Sequence, residues 1–153
     1  MKKVVLMFFS ATLITVAMMS CSKDNGDAGK GEGTLSITGK SYSITESCMC
    51  VRTDGTVSKI VFSNENGSVV NVVTNNIELT SKTYTASEII VVGFPLDGKG
   101  DFDDDFDDNV EMVVVKSGKT YDIIVTGKTK ENEYEYTMTY KGSIRAENDL
   151  CNL

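Results

Sequence analysis

Beyond residue 33 the chain reads almost entirely as strand. No stretch of ten or more residues carries apolar positions at helical spacing, while β-branched and aromatic residues alternate with polar ones in run after run. In "TLSITGKSYSI", Leu35 and Ile37 alternate with polar neighbours, Gly39-Lys40 supplies a turn, and Tyr42 and Ile44 resume the apolar face. "VSKIVF" and "SVVNVV" flank "SNENG" as a second hairpin with Gly67 at its turn. "IELTSKTYTA" and "IIVVGF" are two further strands. "VEMVVV" and "TYDIIVTG" form a third hairpin about Ser117-Gly118, and "EYEYTMTYKGSI" closes the series. The single proline, Pro95, falls at a strand end, where a missing N–H is tolerated.

The pattern predicts an all-β fold: one antiparallel meander domain of about eight or nine strands over residues 34–153. An up-and-down barrel and a two-layer sandwich both accommodate it. Short turns and nearly continuous strands favour the barrel.

The N-terminus carries a different signal. Lys2 and Lys3 precede an apolar run from Val4 to Met19, followed by "MMSCSKDNGD". The run is short for a membrane span and contains Ser10, Thr12 and Thr15, so residues 1–20 read as a secretory signal. Ser20 precedes Cys21, with no Ala-x-Ala site. This arrangement resembles the lipobox of bacterial lipoproteins. The resemblance implies that Cys21 is acylated and becomes the first mature residue, which would attach the protein to a membrane through lipid. "SKDNGD" after Cys21 resembles the sorting tag of surface lipoproteins of the Bacteroidota. It implies the outer membrane, with the cell surface and the periplasmic face both open. The opening hairpin also resembles those of small lipocalin-like lipoproteins. Residues 22–33, with four glycines and no large apolar side chain, read with Cys21 as a flexible tether about 20 Å long.

Charge narrows the partners. The net charge is −7, and "DGKGDFDDDFDD" at 97–108 holds seven aspartates against Lys99. Such a chain repels phosphate backbones, which argues against nucleic acid. The loop fits no EF-hand register. Extended, it sets Asp101, Asp103, Asp105 and Asp107 on one side, with Asp97 upstream and Phe102 and Phe106 opposite. An irregular calcium site and a solvated loop pinned by two phenylalanines are the two readings.

Cys48, Cys50 and Cys151 remain once Cys21 is assigned to lipid. Cys48 and Cys50 are two apart in a strand and share a face, the inward one if counted from Tyr42 and Ile44 without a bulge. A disulfide from Cys151 to one of them would leave one thiol over. Free buried thiols and a three-cysteine zinc site are the alternatives. Tyr134, Tyr136 and Tyr140 alternate along the last strand, either as core or as the lining of a barrel mouth. With no histidine in the chain, Ser-His and Cys-His catalysis is excluded. The expectation is a non-catalytic, lipid-anchored cell-envelope binding module that requires no cofactor. Its ligand would be a small molecule or glycan, with calcium ordering the acidic loop. The alternative is a structural or accessory protein-interaction subunit of an envelope complex.

Overall fold

The computed structural model describes residues 29–94, 109–129 and 133–148. Every regular element among them is a strand. In chain order these are β1 (Gly29–Ile37), β2 (Lys40–Val51), β3 (Val57–Asn64), β4 (Gly67–Ile77), β5 (Lys82–Thr85), β6 (Ile89–Gly93), β7 (Glu111–Ser117), β8 (Thr120–Lys128), β9 (Glu135–Ser143) and β10 (Arg145–Asn148). They form one ten-stranded sheet in the order β5-β7-β8-β9-β1-β2-β3-β4-β6, with β10 on β2. Each neighbouring pair along this path is antiparallel, so the all-β, antiparallel expectation holds.

The sheet curls into a barrel that is nearly closed. β5 pairs only with β7 and β6 only with β4, yet the two run in the same direction and are joined by Ala86-Ser87-Glu88. They are two halves of one bent stave that starts on one edge and finishes on the other. The seam lies where the bend changes partners. Counted this way, the ring has eight staves.

Local chemistry explains the turns. Thr38 (φ 51°) and Gly39 (φ 73°) form a two-residue hairpin link in the left-handed region, whose twist matches that of the flanking strands. The β4–β5 connection is tied down by a buried tyrosine. The Tyr84 hydroxyl donates to the Glu78 carbonyl at 2.7 Å and accepts from the Thr80 N–H at 2.7 Å. Both polar needs of the buried ring are therefore met.

Inward residues from β1 through β9 form one contiguous core, including Leu35, Ile44, Phe62, Val72, Met112, Ile123 and Met138. Each such side chain contributes about 1.5–3 kcal/mol of burial. Five glycines among the described residues, Gly29, Gly31, Gly33, Gly127 and Gly142, are fitted to aromatic rings or backbone. A Cβ on Gly127 would lie 2.4 Å from the Tyr136 hydroxyl, and one on Gly31 would lie 2.5 Å from that of Tyr140. At Gly29 a Cβ would meet the backbone of Ser47, Ser143 and Arg145, each at 2.5 Å. Strand β1 thus begins at Gly29, inside the stretch read from composition as tether. These glycines serve close approach, not flexibility.

Gly29 is also where β1 yields its place. β9 descends beside β1, passes the start of that strand and continues as β10, which pairs parallel with β2 from Arg145↔Cys48 to Asn148↔Val51. Strand direction then gives the barrel two distinct ends. Gly29, β10 and the turns at 52–56 and 118–119 lie at one end. The links at 38–39, 65–66 and 129–134, together with the stems of the 95–108 connection, lie at the other. The first is the proximal end and the second the distal end.

Candidate functional site

At the distal end two anchored stems carry the acidic connection. Phe94 closes β6 and is buried, with its ring edge-on to Tyr136 at 4.7 Å. Val110, just before β7, is buried as well. The segment between these fixed points contains Asp97, Asp101, Asp103, Asp105 and Asp107. All five lie outside the described residues. Among the described residues no group of three potential metal ligands occurs.

Beside the stems, the described ends of the β8–β9 link are hydrogen-bonded to each other. The Thr129 N–H donates to the Tyr134 carbonyl at 2.9 Å, the Glu133 N–H to the Thr129 carbonyl at 2.8 Å, and the Tyr134 N–H to Thr129 Oγ1 at 3.1 Å. Glu133 takes the left-handed conformation (φ 51°). The outcome is an aromatic residue held outward: Tyr134 is 48% exposed. Lys128 and Glu135 pair at 3.5 Å at the base of the same link.

The tyrosines read as one alternating row therefore separate. Tyr136 and Tyr140 point inward and are buried. Tyr140 lies against Phe62 at 5.2 Å and donates its hydroxyl to the Ser143 carbonyl at 2.7 Å. Burial pushes its phenol pKa upward. These two rings fill the barrel instead of lining a mouth, and Tyr134 alone of the three is open to a ligand.

The cysteine row is placed by a shift in register. Between Lys30↔Glu46 and Gly33↔Ile44 the pairing of β1 with β2 slips by one residue. Tyr42 and Ile44 face the core above the slip, and Met49 and Val51 face it below. Cys48 and Cys50 consequently lie on the outer surface, not on the inward face that unbroken alternation predicts. Both are nonetheless buried, and both are half-cystines. Neither has a thiolate for zinc, and Cys151 lies outside the described residues.

Around them, the outer face of β2–β4 is dry. Cys48 stands opposite Val61, and Val61 opposite Asn71; Cys50 stands opposite Lys59. Val61, Asn71 and Lys59 are all buried, and burial lowers the Lys59 pKa. The Asn71 Oδ1 has no hydrogen-bond partner. Arg145 and Glu147 of β10 form an ion pair at the margin of this face. Composition had not singled out Lys59 or Asn71. The signal that could have found them was a polar residue on each side of the "SNENG" hairpin, inside otherwise apolar runs.

A polar dent of about 390 Å³ on the opposite wall is lined by Glu32, Gly33, Thr34, Asp122, Thr139, Tyr140 and Lys141. It lies where Gly33 presents no side chain, and its acids are exposed and salt-screened. The chain matches no protein-family model, no curated protein and no solved structure.

Proposed function

We propose that this chain is a lipid-anchored, non-catalytic binding module of the cell envelope. It holds a cationic partner at the distal end of its barrel. The observation that carries the reading is the polarity of the fold. The strand that follows the tether starts at the proximal end, and the connection bearing seven aspartates springs from the distal end. A barrel anchored through Cys21 would therefore turn the stems of the acidic connection, Phe94 and Val110, away from the membrane, at the same end as the exposed ring of Tyr134. Clustered carboxylates and an open aromatic face both attract positive charge. A Lys- or Arg-bearing protein segment, or calcium, fits that chemistry.

Two features support an outside, non-membrane-crossing role for the wall. The core is filled by Tyr136, Met138 and Tyr140 along β9, so contact with a partner falls to the surface. Membrane-crossing barrels alternate apolar outside with polar inside. On β8 and β9 the order is reversed, with Ile123, Val125, Met138 and Tyr140 inside and Asp122, Thr137, Thr139 and Lys141 outside. The accessory-subunit reading has its own support in Val115 and Ile124, which are exposed on β7 and β8 and would suit a protein contact.

The test uses acylated full-length mature protein in neutral vesicles and an oligolysine probe. Binding should weaken with salt and fall at least tenfold when Asp101, Asp103, Asp105 and Asp107 become asparagine. Binding unchanged by those substitutions would remove the distal end from the proposal. A melt with calcium against magnesium separates the metal from the peptide. At Kd values of about 10⁻⁴ to 10⁻³ M, a few millimolar calcium raises stability by roughly 1–2.5 kcal/mol.

A further inference from the structure

The outer wall formed by β8, β9 and β1 carries two cross-strand rows of exposed side chains. Asp122 stands opposite Lys141 and Lys141 opposite Glu32; Ile124 stands opposite Thr139 and Thr139 opposite Thr34. The rows lie about 7 Å apart along the strands, and each spans about 10 Å across them. They border the dent of about 390 Å³, a volume in the range of small-ligand sites. Its floor is close-packed backbone, because a Cβ on Gly33 would strike the Thr139 carbonyl oxygen.

Hydrogen bonding sets this dent apart from the wall around it. Elsewhere polar side chains are engaged by the protein itself: Ser36 with Ser41 at 3.5 Å, Thr120 with the Ser117 carbonyl at 2.8 Å, Lys128 with Glu135 at 3.5 Å. In the dent Lys141 and Asp122 meet only at 3.9 Å, both well exposed. Among the described residues nothing bonds the Glu32 carboxylate or the hydroxyls of Thr34 and Thr139. An apolar ligand would take water from these groups and return no partner. An anion would meet two carboxylates, and a cation would meet Lys141 in the middle of the row. A neutral polyol satisfies every position. Its hydroxyls donate to Glu32 and Asp122, accept from Lys141, and do either with the threonines. Exposed Ile124, with Val115 opposite Asp122 beyond it, offers an aliphatic surface to C–H faces.

We infer that this dent is a binding site for a neutral glycan, whose hexose units lie across β8, β9 and β1. The strand spacing of about 4.8 Å is close to the length of one hexose unit, so successive units meet successive strands. The site lies on the side of the barrel, and the inference does not rest on the cationic-partner reading of the distal end.

The experiment is chemical footprinting of the acylated full-length mature protein in neutral vesicles, with cellotetraose and maltotetraose as probes. Carbodiimide and glycinamide label Glu32 and Asp122, acetylation labels Lys141, and mass spectrometry reads each site. A shallow, open dent implies a Kd on the order of 1 mM, so about 10 mM of one sugar should slow labelling at all three roughly tenfold. Glu133 and Lys40 should react at their former rates. Because the ligand is uncharged, protection should persist in about 0.5 M salt. Thr139→Val keeps the shape of an exposed side chain, and Asp122→Ala removes an exposed acid; each should weaken binding about three- to tenfold with little change in Tm. Protection by neither sugar overturns the proposal. So does protection that salt abolishes, protection at Glu133 instead of Glu32, or an affinity unchanged in the doubly substituted chain. Oligolysine binding at the distal end is read separately, so either reading can fail while the other stands.

Discussion

Strands β8 and β9 bury one residue and expose the next along most of their length, whereas β3 is buried at every position from Lys59 to Ser63 and β4 from Val69 to Val72. The two halves of the barrel thus obey different rules. The β7–β8–β9–β1 wall has one dry face and one wet face, the usual condition of an antiparallel sheet. Around Cys48, Val61 and Asn71 the β2–β3–β4 wall is dry on both. Its outer positions hold Cys48, Cys50, Lys59, Val61 and Asn71, a set that open water does not require and that a covered surface does. Polar groups there lose their solvent, which explains the depressed Lys59 pKa and the orphaned Asn71 oxygen. The wall fastened to the end of the chain is the one that has acquired a second interior.

The largest expected effect lies where the halves meet and should not distinguish them. The Phe62 ring of β3 touches the Tyr140 ring of β9 across the core. Phe62→Ala removes a fully buried side chain and should cost about 3–5 kcal/mol by urea unfolding. A loss under about 1 kcal/mol would mean the inward face collapses around the gap, and the two walls would then not share one rigid core.

The outer faces should respond differently to the same chemistry. Val61→Thr is nearly isosteric and places a hydroxyl on the covered side, where burial without a partner costs about 1–3 kcal/mol. Ile124→Thr makes a comparable polar change at a site 41% exposed, and should stay within about 0.5 kcal/mol. Equal losses at the two positions would break the comparison, since both outer faces would then be equally wet.

Asn71 tests the same idea with the opposite sign. Its Oδ1 is buried without a partner between Val61 and Gly93 of the neighbouring strands. Replacing such a group by an apolar side chain of similar volume is neutral or favourable. Asn71→Leu should raise stability by about 1 kcal/mol, or a few degrees in Tm for a domain of this size. A clear loss would show that the amide is being used.

Much of this comparison could be read from residues alone, for reasons that differ by position. The three hairpins were legible because β-branched alternation is interrupted by residues that accept positive φ, as at Gly39 and Gly118. The inward placement of Tyr136 and Tyr140 followed from the same period of two. Strand β10 was not legible. "RAEN" has no strand character, and its partner β2 lies about a hundred residues away, so the pairing is set by where β9 ends. The glycines of "GKGEG" pointed to a tether because composition cannot tell freedom from close approach. The face of Cys48 and Cys50 depended on whether a bulge intervened, and one does: a slipped residue inverts every side chain below it. The acidic loop was conspicuous by charge, but its aspartates lie outside the described residues, and only its buried stems, Phe94 and Val110, give it a place in the fold.

The smallest effect concerns the seam, where the two halves come together through one bent stave. Lys82 of β5 and Glu88 in the bend meet at 2.6 Å, both partly exposed. The hydrogen bond from Lys82 lowers the Glu88 pKa below its ordinary 4.5, and the same contact raises that of Lys82 above 10.5. A carboxyl depressed in the folded state binds fewer protons there than when unfolded. Its contribution is complete above the unfolded pKa and disappears as pH falls through the folded one. The lysine behaves in the mirror sense, contributing fully below its unfolded pKa and losing that as pH rises through the folded one. The difference in Tm between the native chain and Glu88→Gln should therefore be constant near neutrality and close as pH falls below 4.5 and through the lowered folded-state pKa. It should also shrink in roughly 1 M salt, as expected for an exposed pair. A difference that persists in acid and in salt would assign Glu88 to the backbone of the bend, where its own N–H already bonds the Thr85 carbonyl at 2.8 Å. The seam would then be held by turn geometry and not by charge.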